Sequence, residues 1–143
     1  MDQAVEQEIQ RIFGAAPFIL GLGLRLQSLA PGECHTALDV TERHLQQDGY
    51  VHAGVQATVA DHSAGAAAAT RIGSGQAVLT AEFKINLLRP ARGARLSCHA
   101  RVLKAGRTLS VVESEVYCGD DGAARLVAKA TVTIAVVARA APA

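Results

Sequence analysis

The sequence predicts an α+β fold in which an antiparallel sheet wraps around one long central helix. A helix-forming segment of small side chains at residues 52–70 is the first observation that supports this prediction. Strand-like alternation before and after that segment is the second, and turns rich in Gly or Pro between the strands are the third. We expect a single domain over residues 1–143, in which residues after about 138 form a loose tail.

The composition of the chain narrows the class of protein. Hydrophobic residues make up 50% of it and charged residues 19%, which argues against disorder, and only 3% are aromatic, so we expect an aliphatic core. Because the formal net charge is +1, no overall field attracts nucleic acid or an anionic membrane. The first turns are acidic and no apolar run reaches about 18 residues, so we expect a cytoplasmic protein without a membrane span.

The amino-terminal part predicts a surface helix, a hairpin and a loop. Residues 2–14 carry apolar side chains at helical spacing, and Pro17 follows the end of this pattern. Residues 22–29 and 34–40 alternate with period two around Ala-Pro-Gly-Glu, which is typical of a hairpin. Residues 41–51 are polar and are predicted to form a loop.

The remaining segments predict a buried helix and four strands. A helix with small side chains on all sides, as at residues 52–70, is usually buried. Alternating Val, Leu, Ile and Thr then predict strands at residues 77–88, 94–105, 108–118 and 124–137. Because short turns such as Asp-Asp-Gly connect these long strands, we expect them to form a meander.

The cysteines favour neither a disulfide framework nor a metal site. Cys34, Cys98 and Cys118 are odd in number, lie far apart and have no Cys-x-x-Cys spacing, which is typical of reduced thiols in buried or half-buried strands. His35 and His99 each follow a cysteine, but neighbours on a strand point to opposite faces and cannot share a ligand site by themselves. We therefore predict no metal and no cofactor.

Asp61 is the first candidate for a catalytic group. It falls in the middle of the predicted buried helix, where an unpaired carboxylate is costly to desolvate. Two structural explanations stay open. Either the helix has one solvated face that holds Gln56, Asp61 and Ser63, or Asp61 caps a neighbouring loop.

The amino end of the same helix is the second candidate. The N–H groups of Ala53 and Gly54 have no intrahelical partner and lie at the positive end of the helix dipole. They would stabilise negative charge on a carbonyl oxygen placed there, and Gly54 would permit a close approach. His52, which precedes them, is by itself more typical of a surface or loop histidine.

Two segments resemble the PaaI-like branch of the hot-dog-fold acyl-CoA thioesterases. Residues 51–61, Val-His-Ala-Gly-Val-Gln-Ala-Thr-Val-Ala-Asp, place an acid nine positions after a histidine, as that branch does. Residues 80–90, Thr-Ala-Glu-Phe-Lys-Ile-Asn-Leu-Leu-Arg-Pro, match its later strand that ends in a proline. The predicted order of elements agrees with the hot-dog fold over most of the chain. The resemblance implies hydrolysis of an acyl-CoA thioester.

The resemblance also implies roles for individual residues. Asp61 would act as a general base on water, or as a nucleophile that attacks the thioester carbonyl. The amides of Ala53 and Gly54 would hold the oxyanion, His52 would fix the loop or the thioester, and Thr80 occupies the place of a hydroxyl that orients the water. Relatives build one site from two subunits, which implies an obligate homodimer, often paired into a dimer of dimers.

Two positions depart from the family pattern. Ala53 stands where relatives usually have Gly, which keeps the N–H group but narrows the approach to it. Gln46 stands six positions before His52, where relatives often have Asn, so its polar contact to water or carbonyl would be displaced by one methylene. Both departures bear on rate and substrate range more than on the fold.

The phosphates of coenzyme A require donors at the mouth of the site, preferably forked Arg groups. Two groups of basic residues near turns are candidates. One consists of Arg89, Arg92 and Arg95, and the other of Lys104 and Arg107. Each of these residues taken alone is also typical of a solvated turn.

Two other functions stay open, and one catalytic pattern fails. A hot-dog hydratase or dehydratase would use a His and an acid to move protons on the acyl chain, and an acyl-CoA-binding module would hydrolyse nothing. Asp61 and Thr80 favour an enzyme, whereas Ala53 and Gln46 favour the binding module. The run of Asp61, His62 and Ser63 does not form a triad, because consecutive helical residues point about 100° apart.

Overall fold

The computed structural model describes residues 1–141 and has the predicted α+β architecture. Its helices are α1 (Gln3–Ala15), α2 (Pro17–Leu22) and α3 (Ala53–Ala69), and a short 3-10 helix covers Glu42–His44. Its strands are β1 (Arg25–Ala30), β2 (Glu33–Asp39), β3 (Gln76–Leu87), β4 (Arg95–Ala105), β5 (Leu109–Gly119) and β6 (Arg125–Ala138). Of the predicted tail, residues 139–141 follow β6 without regular structure, and residues 142–143 lie outside the described residues. No helix within residues 1–141 has the length and hydropathy that crossing a membrane requires.

Helix α2 replaces the beginning of the predicted first strand. Pro17 occupies its first turn, where the missing N–H group costs no hydrogen bond, and Gly23 ends it in the left-handed conformation with φ 82°. The alternation predicted from residue 22 therefore starts inside a helix, and the strand begins only at Arg25. Pro17 and Gly23 favour the beginning and the end of a helix, and their effect was stronger here than that of the period-two pattern.

The six strands form one antiparallel sheet in the order β1-β2-β4-β5-β6-β3. The predicted meander is correct for β4, β5 and β6 but wrong for β3, which pairs with β6 at the edge of the sheet. The connection from β3 to β4 is long enough to cross the sheet. Residues 88–94 span up to about 23 Å when extended, whereas β3 and β4 are three strand positions apart in the sheet, a distance of about 14 Å. Buried Ala91 anchors this crossing, because its carbonyl accepts a 2.8 Å hydrogen bond from the N–H group of Val51.

Helix α3 packs against the concave face of the sheet, as its small side chains predicted. Completely buried α3 residues include Val59, Ala60, Ala64, Ala67 and Ala68. Because most of these side chains end at Cβ, the strands approach the helix backbone closely. The hydroxyl of Ser114 on β5 donates to the carbonyl of Ala60 at 2.8 Å, and Ser63 shares a 2.8 Å hydrogen bond with Thr36 on β2. These buried hydroxyls fix the helix relative to the sheet.

The three cysteines are buried and free, as predicted. Burial raises the pKa of the Cys34 thiol to about 12 and that of Cys98 to about 11. Burial also raises the pKa of Cys118. All three groups therefore stay protonated at neutral pH, and none of them presents a reactive thiolate.

Candidate active site

The carboxylate of Asp61 is held by a hydroxyl from β3. Thr80 Oγ1 donates a 2.6 Å hydrogen bond to Asp61 Oδ1. Asp61 is half-buried and Thr80 is exposed, so both groups remain open to a ligand in the single chain. A bulge in the pairing of β3 with β6 follows Thr80 directly, between Thr80 and Glu82, and bulges commonly redirect a side chain toward a site.

The two structural explanations for Asp61 do not describe its surroundings. Gln56 and Ser63 are buried, so they do not share a solvated face with Asp61. The side-chain amide of Gln56 donates to the carbonyl of Val51 at 3.1 Å, and Ser63 donates to the carbonyl of Val59 at 2.6 Å. The partner of Asp61 lies on a strand, so Asp61 does not cap a loop.

Asp61 and His62 border two apolar clefts. The first has a volume of about 250 Å³ and lies between α1, α3 and β3. Its apolar lining includes Ile9, Ile12, Phe13, Gly65, Ala66 and Val78. The second has a volume of about 320 Å³ and is lined by residues that include Phe18, Ile19, Ala57, Thr58 and Phe83. A carboxylate at the junction of two apolar clefts is suited to act on a polar group whose substituents are apolar.

His62 was not predicted to belong to the site. Its ring packs edge to face on Phe13 with centroids 4.5 Å apart, and its Nε2 atom is buried without a hydrogen-bond partner within residues 1–141. Burial lowers the pKa of His62, although neighbouring Asp61 acts in the opposite direction, so the imidazole is neutral at pH 7. The side chains of Asp61 and His62 point about 100° apart on the helix, which prevents a hydrogen-bonded relay between them but allows both to border one cleft. The rejected triad pattern was the signal in the sequence that could have identified this histidine.

His52 caps the amino end of α3. Its Nδ1 atom accepts a 2.8 Å hydrogen bond from the N–H group of Gly54. A side chain at Gly54 would crowd this cap, because an added Cβ would lie 3.0 Å from Nδ1. The N–H group of Ala53 has no hydrogen-bond acceptor within residues 1–141. The N–H group of Ala53 is therefore free to bind an anion, whereas that of Gly54 becomes available only when the ring of His52 turns away.

One chain does not bring Asp61 and these amides together. Eight residues separate Ala53 from Asp61, and at 1.5 Å per residue they lie about 12 Å apart along the axis of α3. A carbonyl group that accepts a hydrogen bond from Ala53 is therefore out of reach of Asp61 in the same chain. The predicted acid and the predicted oxyanion donors of a single chain cannot act on one carbonyl.

The side chain of Gln46 folds back onto its own loop. Its Oε1 atom accepts hydrogen bonds from the backbone N–H groups of Asp48 and Tyr50, the latter at 3.3 Å. These contacts hold the turn that leads into α3. The structure thus places Gln46 near the amino end of α3, where its carboxamide oxygen is occupied by the turn.

The five basic residues predicted for coenzyme A lie in three places. Arg95 lies on the outer face of the sheet, away from α3, and donates to Gln27 Oε1 at 3.0 Å. Lys104 and Arg107 lie at the opposite end of β4, about 30 Å from Arg95 at 3.3 Å per residue. These three residues therefore do not share one phosphate site.

Arg89 and Arg92 lie near the amino end of α3, because Ala91 between them is bonded to the segment that enters the helix. Together with Arg125, which the sequence did not indicate, they border an open groove. The guanidinium of Arg92 lies 4.7 Å from the centroid of the Tyr50 ring. The groove is the one place in the described chain where two of the predicted arginines share a surface.

The chain is similar to thioesterases in sequence and in structure. A sequence model of the thioesterase superfamily matches residues 48–125, which include α3. The chain is 29% identical to the 1,4-dihydroxy-2-naphthoyl-CoA hydrolase of Listeria monocytogenes, over 66% of this chain and 77% of that protein. A thioesterase family protein of Silicibacter pomeroyi has a crystal structure that superposes with a TM-score of 0.91 and 36% identity, over 94% of this chain and 99% of that one.

A variant of the phenylacetic acid degradation protein PaaI of Thermus thermophilus is also similar in structure. It superposes with a TM-score of 0.72 and 28% identity, over 83% of this chain and 97% of that one. The sheet wrapped around α3 and the matched superfamily agree with these structures. The chain therefore belongs to the hot-dog-fold thioesterases, a family of thioester hydrolases.

Proposed function

We propose that the protein is a cytoplasmic enzyme that hydrolyses an acyl-CoA thioester to a free acid and coenzyme A, with Asp61 acting at the thioester carbonyl. The hydrogen bond between Asp61 and Thr80 at the junction of two apolar clefts carries this proposal. The relative from Listeria monocytogenes is named for a CoA thioester, which supports the substrate class. Three free thiols fit a reducing compartment such as the cytoplasm.

In this mechanism Asp61 is the general base. The hydroxyl of Thr80 fixes Oδ1, which leaves Oδ2 to accept a proton from the attacking water. Water adds to the thioester carbonyl, negative charge develops on its oxygen, and the collapse of this adduct expels the thiolate of coenzyme A. In the second form of the mechanism, Asp61 attacks the carbonyl directly and expels the thiolate of coenzyme A, and water then hydrolyses the resulting mixed anhydride to the free acid and the Asp61 carboxylate.

A second copy of the chain completes the site. Because about 12 Å separates Asp61 from the helix amides along α3, the oxyanion donors Ala53 and Gly54 must come from the second copy. The N–H group of Gly54 donates to His52 Nδ1. The imidazole therefore turns away from Gly54, toward the thioester, before this N–H group binds the oxyanion. This arrangement uses His52, Ala53 and Gly54 of one copy with Asp61 and Thr80 of the other.

The edge of the sheet supports such a dimer. β3 has 12 residues, ends the sheet and has no neighbour on its outer side among the described residues. It exposes Leu79, Phe83 and Leu87, whose exposed fractions are 61%, 44% and 51%. A long edge strand with exposed apolar side chains is normally paired or covered. Antiparallel pairing of two β3 strands would extend the sheet across the dimer and cover Thr80. A further pairing into a dimer of dimers remains a prediction.

The phosphates of coenzyme A would bind the groove of Arg89 and Arg92. This groove lies at the amino end of α3, where the oxyanion donors lie, so the thioester and the phosphates would enter from one side. Arg125 adds a third guanidinium, and forked donors suit phosphate oxygens. Lys104 and Arg107 lie at the far end of β4, and Arg95 projects from the opposite face of the sheet, where it donates to Gln27. None of these three residues borders the groove.

The test is release of free thiol from short, medium, long and aromatic acyl-CoAs by the protein and by its Asp61→Asn variant. The substitution preserves the shape of the side chain and removes its basicity, so we expect kcat to fall by roughly 10²- to 10⁴-fold. Asp121→Asn, an exposed aspartate in the turn between β5 and β6, is the matched control and should retain the parent rate.

Three results would contradict the proposal. Equal hydrolysis by the parent and Asp61→Asn would remove Asp61 from the mechanism. Binding of acyl-CoA without thiol release would identify a binding module. A change in the acyl chain that leaves the thioester intact would identify a hydratase or dehydratase.

A further inference from the structure

Two histidines and a glutamate meet on the outer face of the sheet, opposite α3. His35 on β2 and His99 on β4 are direct partners in the strand register, so their side chains leave the sheet side by side. Glu33 lies two residues before His35 and therefore projects from the same face. We call Glu33, His35 and His99 the outer cluster.

The three side chains of the outer cluster lie close enough to share a ligand. The imidazole rings are stacked with centroids 4.1 Å apart and an interplanar angle of 10°. His99 Nε2 lies 3.4 Å from Glu33 Oε2. One ring nitrogen of each histidine and one carboxylate oxygen all lie within 4.8 Å of one another.

We propose that the outer cluster binds a divalent transition-metal ion of the type of Zn²⁺. Two imidazoles and one carboxylate form a donor set that suits this ion. Tetrahedral coordination at about 2.1 Å places the donor atoms about 3.4 Å apart, so small side-chain rotations convert the observed cluster into a three-ligand site. His35 and His99 border an open pocket on the outer face, from which water could supply a fourth ligand.

The surroundings favour a cation at this place. Glu115 on β5 is the register partner of His99 and brings a second carboxylate to the cluster, where it accepts a 2.8 Å hydrogen bond from Tyr117. Three basic side chains lie on the same face. Arg95, which borders the same pocket as the two histidines, donates to Gln27. Arg101 and Lys129 both contact Glu113, at 3.3 and 3.0 Å, and form no ion pair with Glu33 or Glu115 among the described residues.

The backbone around the outer cluster is also rigid. β2 and β4 are hydrogen-bonded over the full register from Glu33 to Asp39, so the positions of the three ligand residues are set before an ion arrives. The cluster lies on the face of the sheet opposite α3 and shares no residue with the Asp61 site. Metal binding there is therefore independent of the proposed hydrolysis.

Titration of the metal-free full-length protein with Zn²⁺ in a calorimeter tests the proposal. We expect one tight ion per chain for the parent protein. Removing a residue that only hydrogen-bonds to a metal ligand lowers metal affinity about 10- to 100-fold. His35→Ala and His99→Ala each remove a ligand itself, so each should weaken binding at least tenfold. His52→Ala removes a histidine outside the cluster and is the matched control, with an affinity equal to that of the parent.

A second measurement does not depend on how well the variants fold. In the parent protein, Zn²⁺ should shift the ring resonances of His35 and His99 and leave those of His44 and His62 unchanged. Binding of equal strength in His35→Ala or His99→Ala, or no binding by the parent, would overturn the proposal. Unchanged binding in Glu33→Gln would overturn the assignment of the third ligand.

Discussion

At the scale of single residues, the proposed site depends on how one hydroxyl orients one carboxylate. Asp61 and Thr80 are 19 positions apart and meet through a 2.6 Å hydrogen bond. The resemblance to PaaI-like enzymes indicated both residues, but no periodicity in the sequence indicates that they touch. His62 was missed for a related reason, since a buried Nε2 atom without a partner is a property of packing that a helical pattern does not record.

The contact between Thr80 and Asp61 can be tested separately from the carboxylate. A hydrogen bond to a charged group contributes about 1.5 to 3 kcal/mol, so Thr80→Val should lower kcat by roughly 10- to 100-fold and change KM little. Thr80→Ser keeps the donor and should retain most of the activity. The measurement is steady-state hydrolysis of the best acyl-CoA, and equal rates for the Val and Ser variants would show that the hydroxyl plays no part.

At the scale of elements, α3 determines how closely the sheet can approach. The Ala-rich and Gly-rich composition correctly predicted a buried helix, because side chains that end at Cβ leave room for strands on several sides. The helix end was also predictable, although the cap formed by His52 was not, since histidine is not a common capping residue. α2 was missed because its six residues are too few to show helical periodicity.

Adjacent positions on α3 should respond to larger side chains in opposite ways. Ala64 is completely buried, so Ala64→Leu should overpack the core and lower the free energy of unfolding by about 1 to 3 kcal/mol. An added Cβ at Gly65 meets no atom within 4 Å, so Gly65→Ala should raise that free energy by about 0.5 to 1 kcal/mol. Urea unfolding of both variants checks the pair, and a stabilised Ala64→Leu protein would contradict the packing described for α3.

At the scale of the whole molecule, the proposed dimer depends on the position of β3. The predicted meander would have placed β3 beside β4, whereas in the observed order β3 lies beside β6 at the edge, with apolar side chains exposed. If the proposed acid and oxyanion donors act on one carbonyl, the distance of about 12 Å between Asp61 and the amides of α3 independently calls for a second chain. Both features favour pairing of two copies through β3.

The dimer proposal predicts the effect of a charge on this edge. Phe83 lies near the middle of β3 and is 44% exposed in the single chain. Phe83→Asp would bury two like charges at a β3 interface, so we expect the variant to be a monomer by light scattering with size exclusion, while the parent is a dimer or larger. Leu103 is a 53% exposed residue of β4, so Leu103→Asp is the control and should keep the mass of the parent. A parent protein that is an active monomer would refute the dimer.

The sequence by itself determined the local structure and the chemistry that was available. Periodicity and turn residues indicated the α+β class, the buried helix and five of the six strands to within about two residues, because they record which side chains each segment buries. Only the tertiary structure decided that β2 pairs with β4 and that β3 pairs with β6. Strand order placed β3 at the edge, divided the basic residues among three places and brought His35 and His99 together from β2 and β4. These outcomes depend on pairing between distant segments, which the pattern within one segment does not specify.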